Sequence, residues 1–164
     1  MESSLQPIVK TALEKYKIGY KVLQCSPELA DTAAFCEHYG VELDQAANTI
    51  LVASRKVEPT QYCVCVVLAT TRLDVNKKVR ELMAVKKLSF ADSDQTIQQT
   101  TMMIGGVTAP GIENLPIYVD AAVMQQTEVV MGGGNRSTKI LLNPKELKKL
   151  PSVIVVEGLA KPKE

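Results

Sequence analysis

A chain of 164 residues that is 46% hydrophobic and 23% charged has the size and composition of one water-soluble globular domain. Its net charge of +1 gives no overall field that would attract nucleic acid or a membrane surface, and its longest apolar runs are far too short to cross a bilayer. Residues 1–16 lack the apolar stretch of a signal peptide, so we expect a cytoplasmic protein.

The first half of the chain alternates helical and strand-like patterns. Apolar residues at helical spacing from Leu5 to Tyr16 predict an amphipathic helix that ends by Gly19. A strand at 20–24, a second helix from Pro27 to its stop at Gly40, and a turn at 41–46 follow. Two apolar strands, 49–54 and 62–69, are joined by polar residues and predict a central antiparallel hairpin.

The second half contains shorter elements. They are a helix at 76–83, a strand at 87–90, a helix at 92–100, a strand at 117–119, a helix at 121–125, strands at 128–131 and 139–142, a helix at 144–150, a strand at 152–156 and a polar tail from 158. Because hairpins are mixed with crossovers, we expect an α/β fold: a single compact domain, residues 1–164, with a mixed β-sheet surrounded by helices.

The spacing of the four cysteines argues against disulfides and against a metal site. Cys63 and Cys65 lie two apart in a strand and face one side, and no second Cys/His pair completes a zinc set with them. We therefore expect Cys25 and Cys36, like the other two, to be buried free thiols, with no metal and no cofactor. His38 is the only histidine, which argues against nucleophilic catalysis through histidine.

Basic residues cluster in three stretches. They are Lys77, Lys78, Arg80, Lys86 and Lys87; Arg136 and Lys139; and Lys145, Lys148 and Lys149. Such runs are most often solvated helix faces. Convergence of the three stretches in space would allow a limited contact with phosphate.

Two glycine-rich segments are the most unusual local feature. The first lies within MIGGVTAPGIENLPIYVD, 103–120, where paired glycines and prolines indicate backbone presented to a ligand. The second, GGGNRSTK at 132–139, has neither P-loop nor dinucleotide-binding spacing. It is either a hairpin loop with glycines at positive φ or a lip of backbone N–H groups to which Arg136 adds charge. An enzyme built on such loops would use backbone dipoles, positioned water or the substrate's own groups.

Four pieces of the sequence, in order, resemble the YbaK family of aminoacyl-tRNA editing domains, which are similar to the insertion domain of bacterial prolyl-tRNA synthetase. The pieces are HYGVELDQAANTILV, TRLDVNKKVREL, GGVTAPGIENLPIYVD and GNRSTKILLNPKEL, within a match over about 30–150. The resemblance implies a compact α/β editing fold that hydrolyses the ester joining a wrong amino acid to tRNA, with no metal. Its implied partners are the acceptor end of aminoacyl-tRNA and an aminoacyl-tRNA synthetase, with no DNA and no membrane.

The resemblance also implies site residues. The implied positions are Gly105 and Gly106 against the ester, Val107 and Thr108 at the amino-acid pocket, Thr49 and Asp120 on the adjoining strands, and Gly134 with Arg136 beside the terminal adenosine. One position departs from the family, because Asn48 stands where a lysine usually precedes the threonine. Asparagine keeps hydrogen bonding but has no charge, and losing a charge-assisted contact costs on the order of 1.5–3 kcal/mol.

Three functions remain open. The first is a freestanding deacylase that edits in trans, removing a small amino acid such as Ala or Cys from proline tRNA. The second, favoured by Asn48, is a binding module that holds tRNA or a synthetase without turnover. The third is an unrelated α/β protein whose glycine segments are only turns, with no pocket beside Gly105 and Gly106. Under the first hypothesis we expect Gly106→Val to abolish hydrolysis and leave folding largely intact.

Overall fold

A computed structural model of the protein describes residues 3–163. The α-helices in this range are α1 Pro7–Lys15, α2 Thr32–Tyr39, α3 Arg80–Met83, α4 Ser93–Thr100 and α5 Ala121–Met124. The strands are β1 Lys21–Gln24, β2 Ala47–Ser54, β3 Tyr62–Leu68, β4 Thr71–Leu73, β5 Leu88–Phe90, β6 Ile117–Asp120, β7 Val129–Gly132, β8 Thr138–Leu142, β9 Val153–Val156 and β10 Ala160–Pro162. Further helical turns are Pro27–Leu29, Leu43–Gln45, Val75–Val79 and Pro144–Lys149.

The largest sheet has five strands in the order β5-β2-β3-β6-β9. β2 pairs antiparallel with β3 and with β5, whereas β6 pairs parallel with β3 and with β9. The sheet is therefore mixed, as predicted, and the hairpin of the two apolar strands is confirmed. Its inner strands β3 and β6 are almost wholly buried, which fits their apolar and β-branched composition.

A second sheet, in the order β1-β8-β7, packs beside the first. β7 and β8 form a hairpin, one of the two interpretations of the second glycine segment, and an isolated bridge between Ala46 and Val130 joins the two sheets. The core between them is formed by Leu13 of α1, Ile117 of β6 and Ile140 of β8, all fully buried. This shared core makes the two sheets one domain.

The second predicted helix is interrupted. A short 3-10 helix, Pro27–Leu29, is followed by Asp31 with extended backbone (φ −66, ψ 141), and α2 begins only at Thr32. The carbonyls of Pro27 and Ala30 accept hydrogen bonds from Arg136 and Lys139, so the break is stabilised by these distant cations. The predicted stop is confirmed, since Gly40 has a left-handed φ of 70.

Helix α4 begins at a capping box. The Asp92 side chain accepts from the Gln95 N–H at 2.8 Å, and the Gln95 side chain accepts from the Asp92 N–H at 3.0 Å. The helix joins β5 to the first glycine segment and so fixes where that segment starts. The longest helix described, α1, has nine residues, and no helix within 3–163 is long and apolar enough to traverse a bilayer.

The prediction of a polar tail is wrong. Residues 160–162 form β10, which pairs antiparallel with β4, a strand that was also not predicted. Leu159 is fully buried, and its burial anchors the segment although Glu157, Lys161 and Lys163 around it are exposed. With three residues each, the two strands are too short to show a period in the sequence.

The predicted state of the cysteines is confirmed. All four are free and buried, and the sulfurs of Cys63 and Cys65 lie 3.9 Å apart on one face of β3. His38 is exposed on α2 and stacks edge-on against Tyr39.

Candidate functional site

A cavity of about 310 Å³ lies where the two sheets meet. Its walls come from the first half of β2, the start of α2, the end of β5, the first glycine segment and the β7–β8 hairpin. A volume of this size is at the small end of the range for ligand pockets. The cavity adjoins Gly105, as the hypotheses of an editing enzyme and of a binding module both require.

The two glycine-rich segments pack backbone against backbone at the edge of this cavity. The Gly134 N–H donates to the Gly106 carbonyl at 2.7 Å, and the Met103 N–H donates to the Gly134 carbonyl at 3.0 Å. A Cβ on Gly106 would lie 2.7 Å from the Asn135 carbonyl carbon, and one on Gly132 would lie 2.7 Å from the Gly106 carbonyl carbon. No side chain fits at this contact, so the expectation that Gly106→Val leaves folding largely intact is wrong.

Gly105 is required for a different reason. Its φ of 89 is left-handed, a conformation that other residues rarely adopt. A Cβ there would also collide with the Arg136 guanidinium and approach the Asp31 carboxylate to 3.2 Å. The bare backbone of Gly105 therefore forms part of the cavity wall.

Arg136, in the loop between β7 and β8, fastens the outer side of the glycine segment. Its Nε donates to the Pro27 carbonyl at 3.1 Å and its Nη1 to the Ile104 carbonyl at 2.9 Å. The same Nη1 lies 3.3 Å from an oxygen of Asp31. This guanidinium does not line the cavity, and its contacts connect the start of α2 to the glycine segment.

Lys139 of β8 also connects the start of α2 to the glycine segment, on the side that faces the cavity. Its Nζ donates to the Ala30 carbonyl at 2.5 Å and to the Gly105 carbonyl at 3.2 Å, and it lies 5.5 Å from the centre of the Phe35 ring. The residue is only 6% exposed, and no carboxylate within 3–163 forms an ion pair with it. Burial lowers the pKa of this ammonium below its ordinary value.

Sequence reasoning placed Lys139 only in a basic stretch and missed its position in the site. The available signal was a lysine inside an otherwise apolar strand, TKILL, where a charge is costly unless a function retains it. The signal does not say which cavity the lysine enters.

Asn48 and Thr49 line the opposite wall, at the start of β2. The Asn48 side-chain oxygen accepts from the Thr32 hydroxyl at 2.5 Å, which fixes the amide. The Thr49 hydroxyl is buried and has no hydrogen-bond partner in the described protein. The Thr108 hydroxyl, outside the cavity lining, is buried and unpaired in the same way.

The nine predicted positions divide into three groups. Of the nine, Asn48, Thr49, Gly105 and Val107 line the cavity, whereas Gly106, Gly134 and Arg136 lie directly behind its glycine wall. Thr108 is fully buried outside the lining, with its N–H directed at the Met102 sulfur 3.4 Å away. Asp120 is buried at the end of β6, also outside the lining, and burial raises its pKa.

The fold and this cavity correspond to a known class of protein. The family model for the aminoacyl-tRNA editing domain matches residues 26–150, and the chain belongs to that family.

Individual relatives agree with this assignment. The uncharacterized protein YwhH of Bacillus subtilis (strain 168) is 27% identical over 140 residues, which cover 85% of this chain and 86% of that one. The crystal structure of a candidate trans-editing enzyme for prolyl tRNA synthetase is similar with a TM-score of 0.78 and 25% identity, covering 98% of this chain and 100% of that one. The structure of hypothetical protein APE2540 has the same fold, with a TM-score of 0.82, 19% identity and coverage of 94% and 99%. These findings support a role in aminoacyl-tRNA editing.

Proposed function

We propose that the protein is a freestanding deacylase that hydrolyses the ester of a mischarged aminoacyl-tRNA. The observation that carries the proposal is the buried, unpaired ammonium of Lys139 in a cavity beside Gly105, in a chain of the editing-domain family. Hydrolysis adds a water oxygen to the ester carbon, breaks the bond to the ribose oxygen and returns a proton to that oxygen. The protein's part is to position the ester and stabilise the negative oxygen that develops on it.

In this proposal Lys139 supplies the charge that Asn48 lacks. An ammonium has three N–H donors, and two of them are used on the Ala30 and Gly105 carbonyls. The third is left for the substrate, either at the ester oxygen or at the phosphate that joins the last two nucleotides. The Asn48 amide adds neutral hydrogen bonds from the facing wall.

The size of the cavity favours a small amino acid. About 310 Å³ has to hold the aminoacyl group together with part of the ribose, and Phe35, Val107 and Met131 occupy the walls. We therefore propose Ala or Cys on proline tRNA as the first substrates to test.

The test is single-turnover deacylation of Ala and Cys on proline tRNA by the unmodified protein and by Lys139→Met, Asn48→Lys and the double variant. We expect the unmodified protein to exceed spontaneous hydrolysis and Lys139→Met to be about ten- to a hundredfold slower, the equivalent of one charge-assisted hydrogen bond. The double variant should recover part of that loss, because one ammonium again enters the cavity. Lys145→Met, at an exposed lysine away from the cavity, is the matched control.

Two other outcomes would reject the proposal. If the unmodified protein retains aminoacyl-tRNA without hydrolysing it, the protein is a binding module. The presence of Asn48, where the family usually has a lysine, favours that function. If it neither binds nor hydrolyses any aminoacyl-tRNA of a broader panel, the editing activity does not extend to this chain.

A further inference from the structure

A continuous surface leads away from the cavity along the edge strand β5. Phe90 lines both the cavity and a second depression, and Leu88 and Asn76 line both that depression and a third. The three depressions therefore adjoin one another in a row. Whatever enters the cavity and continues along this row passes over β5.

The third depression is strongly basic. Five of its seven lining residues are cations, namely Arg55, Lys56, Arg80, Lys86 and Lys87, and none of the seven is acidic. All five side chains are exposed, and none forms an ion pair within residues 3–163. The whole chain carries only +1, so this concentration of charge is local. Unpaired cations in a concave surface are suited to a polyanion.

The depression between them is mixed in charge. It includes Arg72, Lys161 and Lys163, but the Lys161 ammonium lies 3.9 Å from an oxygen of Asp74. One of its three cations is thus partly neutralised, so the phosphate contacts should concentrate in the third depression.

An exposed aromatic ring stands between the cavity and the basic depression. Phe90 is 55% exposed, whereas the other phenylalanine of the chain, Phe35, is buried. Single exposed apolar residues are common, and what sets this ring apart is its position between the cavity and the basic depression, where a ligand that spans both would contact it. Unpaired nucleotide bases stack on such rings irrespective of their sequence.

We propose that an RNA helix docks its phosphates on Arg55, Lys56, Arg80, Lys86 and Lys87, while an unpaired base of its single-stranded 3′ end stacks on Phe90 on the way to the cavity. The assignment of the cavity to that 3′ end rests on the proposed function. The docking itself does not rest on it, because RNA without an attached amino acid carries the same phosphates and bases.

The test measures the affinity of the protein for RNA hairpins without an attached amino acid, with and without a four-nucleotide 3′ overhang, over a range of salt concentrations. We expect Lys86→Gln/Lys87→Gln to weaken binding of both hairpins by on the order of tenfold at 0.1 M salt and to reduce the salt slope by about one to two. Phe90→Ala should weaken only the overhanging hairpin, by about fivefold or more. Lys145→Gln/Lys148→Gln removes the same charge outside all three depressions and should leave both affinities nearly unchanged.

The proposal is overturned if the unmodified protein binds neither hairpin, or if Lys86→Gln/Lys87→Gln and the control Lys145→Gln/Lys148→Gln lose affinity equally. An equal effect of Phe90→Ala on both hairpins would remove the stacking step. Deacylation separates the two proposals. If the unmodified protein hydrolyses aminoacyl-tRNA and Lys86→Gln/Lys87→Gln binds RNA as tightly as the unmodified protein, the docking surface alone is rejected. If the unmodified protein binds RNA but does not hydrolyse aminoacyl-tRNA, the deacylase alone is rejected.

Discussion

Replacing Gly106 by alanine tests whether the two glycine segments are held by direct backbone contact. Gly106 does not have a left-handed φ, so alanine suffers no conformational penalty there, and the whole effect is steric. The added methyl would lie 2.7 Å from the backbone nitrogen and the carbonyl carbon of Asn135, and closer still to its carbonyl oxygen. Backbone atoms cannot rotate away as a side chain can, so the segments must separate.

The magnitude follows from two contributions. Forcing a methyl into a packed contact costs about 1–3 kcal/mol, and separating the segments weakens the hydrogen bond from Gly134 to Gly106, worth about 1 kcal/mol. We expect Gly106→Ala to lower the free energy of unfolding by about 2–4 kcal/mol, measured as a lower urea midpoint at unchanged slope. Gly132→Ala presses on the same contact, so the double variant should lose less than the sum of the two.

The matched control is Gly40→Ala. Gly40 has a left-handed φ of 70 but no atom within 4 Å of an added Cβ, so alanine there costs only the backbone conformation, about 1 kcal/mol. A Gly106→Ala midpoint equal to or above that of Gly40→Ala would refute the contact. Strict additivity of Gly106→Ala and Gly132→Ala would do the same.

Three further outcomes are expected. Because burial lowers the pKa of Lys139, deacylation should fall as pH rises through that lowered pKa, and Lys139→Arg should move the fall to higher pH; an identical pH profile in the arginine variant would count against a role for the charge. Leu159→Ala should cost about 2–4 kcal/mol of unfolding free energy and release β10, measured by urea unfolding and by hydrogen exchange of the strand's amides, whereas a loss below 1 kcal/mol would show that the leucine does not anchor it. Burial raises the pKa of Cys25 and Cys36, so a thiol reagent should label them only as the protein unfolds, and rapid labelling of the native protein would contradict their burial.

The elements with a strong local pattern could be predicted from the sequence. The apolar runs of β2 and β3 carry their own period and composition, and Gly40 ends its helix for a reason confined to its own φ. The failures have a different cause. The break near Ala30 is stabilised by cations more than a hundred residues away, and β10 is anchored by one buried leucine. Neither tertiary contact leaves a local pattern.

The same distinction applies to the site. Gly105, Val107, Asn48 and Thr49 were named through family resemblance, and the structure brings these four to one cavity. Lys139 lies within the matched piece GNRSTKILLNPKEL, but the resemblance implied no role for it, and its strand pattern does not show that β8 brings it to the same cavity.

The placement of Lys139 gives a physical account of how this chain can carry Asn48. β2 and β8 belong to different sheets, but both contribute to the wall of one cavity, so an ammonium from either strand reaches the same space. From β8 it needs acceptors, and the bent chain at Ala30 and the left-handed Gly105 each offer a carbonyl that no helix or strand uses. Both lysines together would place two cations in about 310 Å³, where Asp31 is the acidic residue of the lining and its carboxylate already lies 3.3 Å from Arg136. Asn48→Lys alone should therefore hydrolyse no faster than the unmodified protein, and gain should appear only when Lys139 is also replaced.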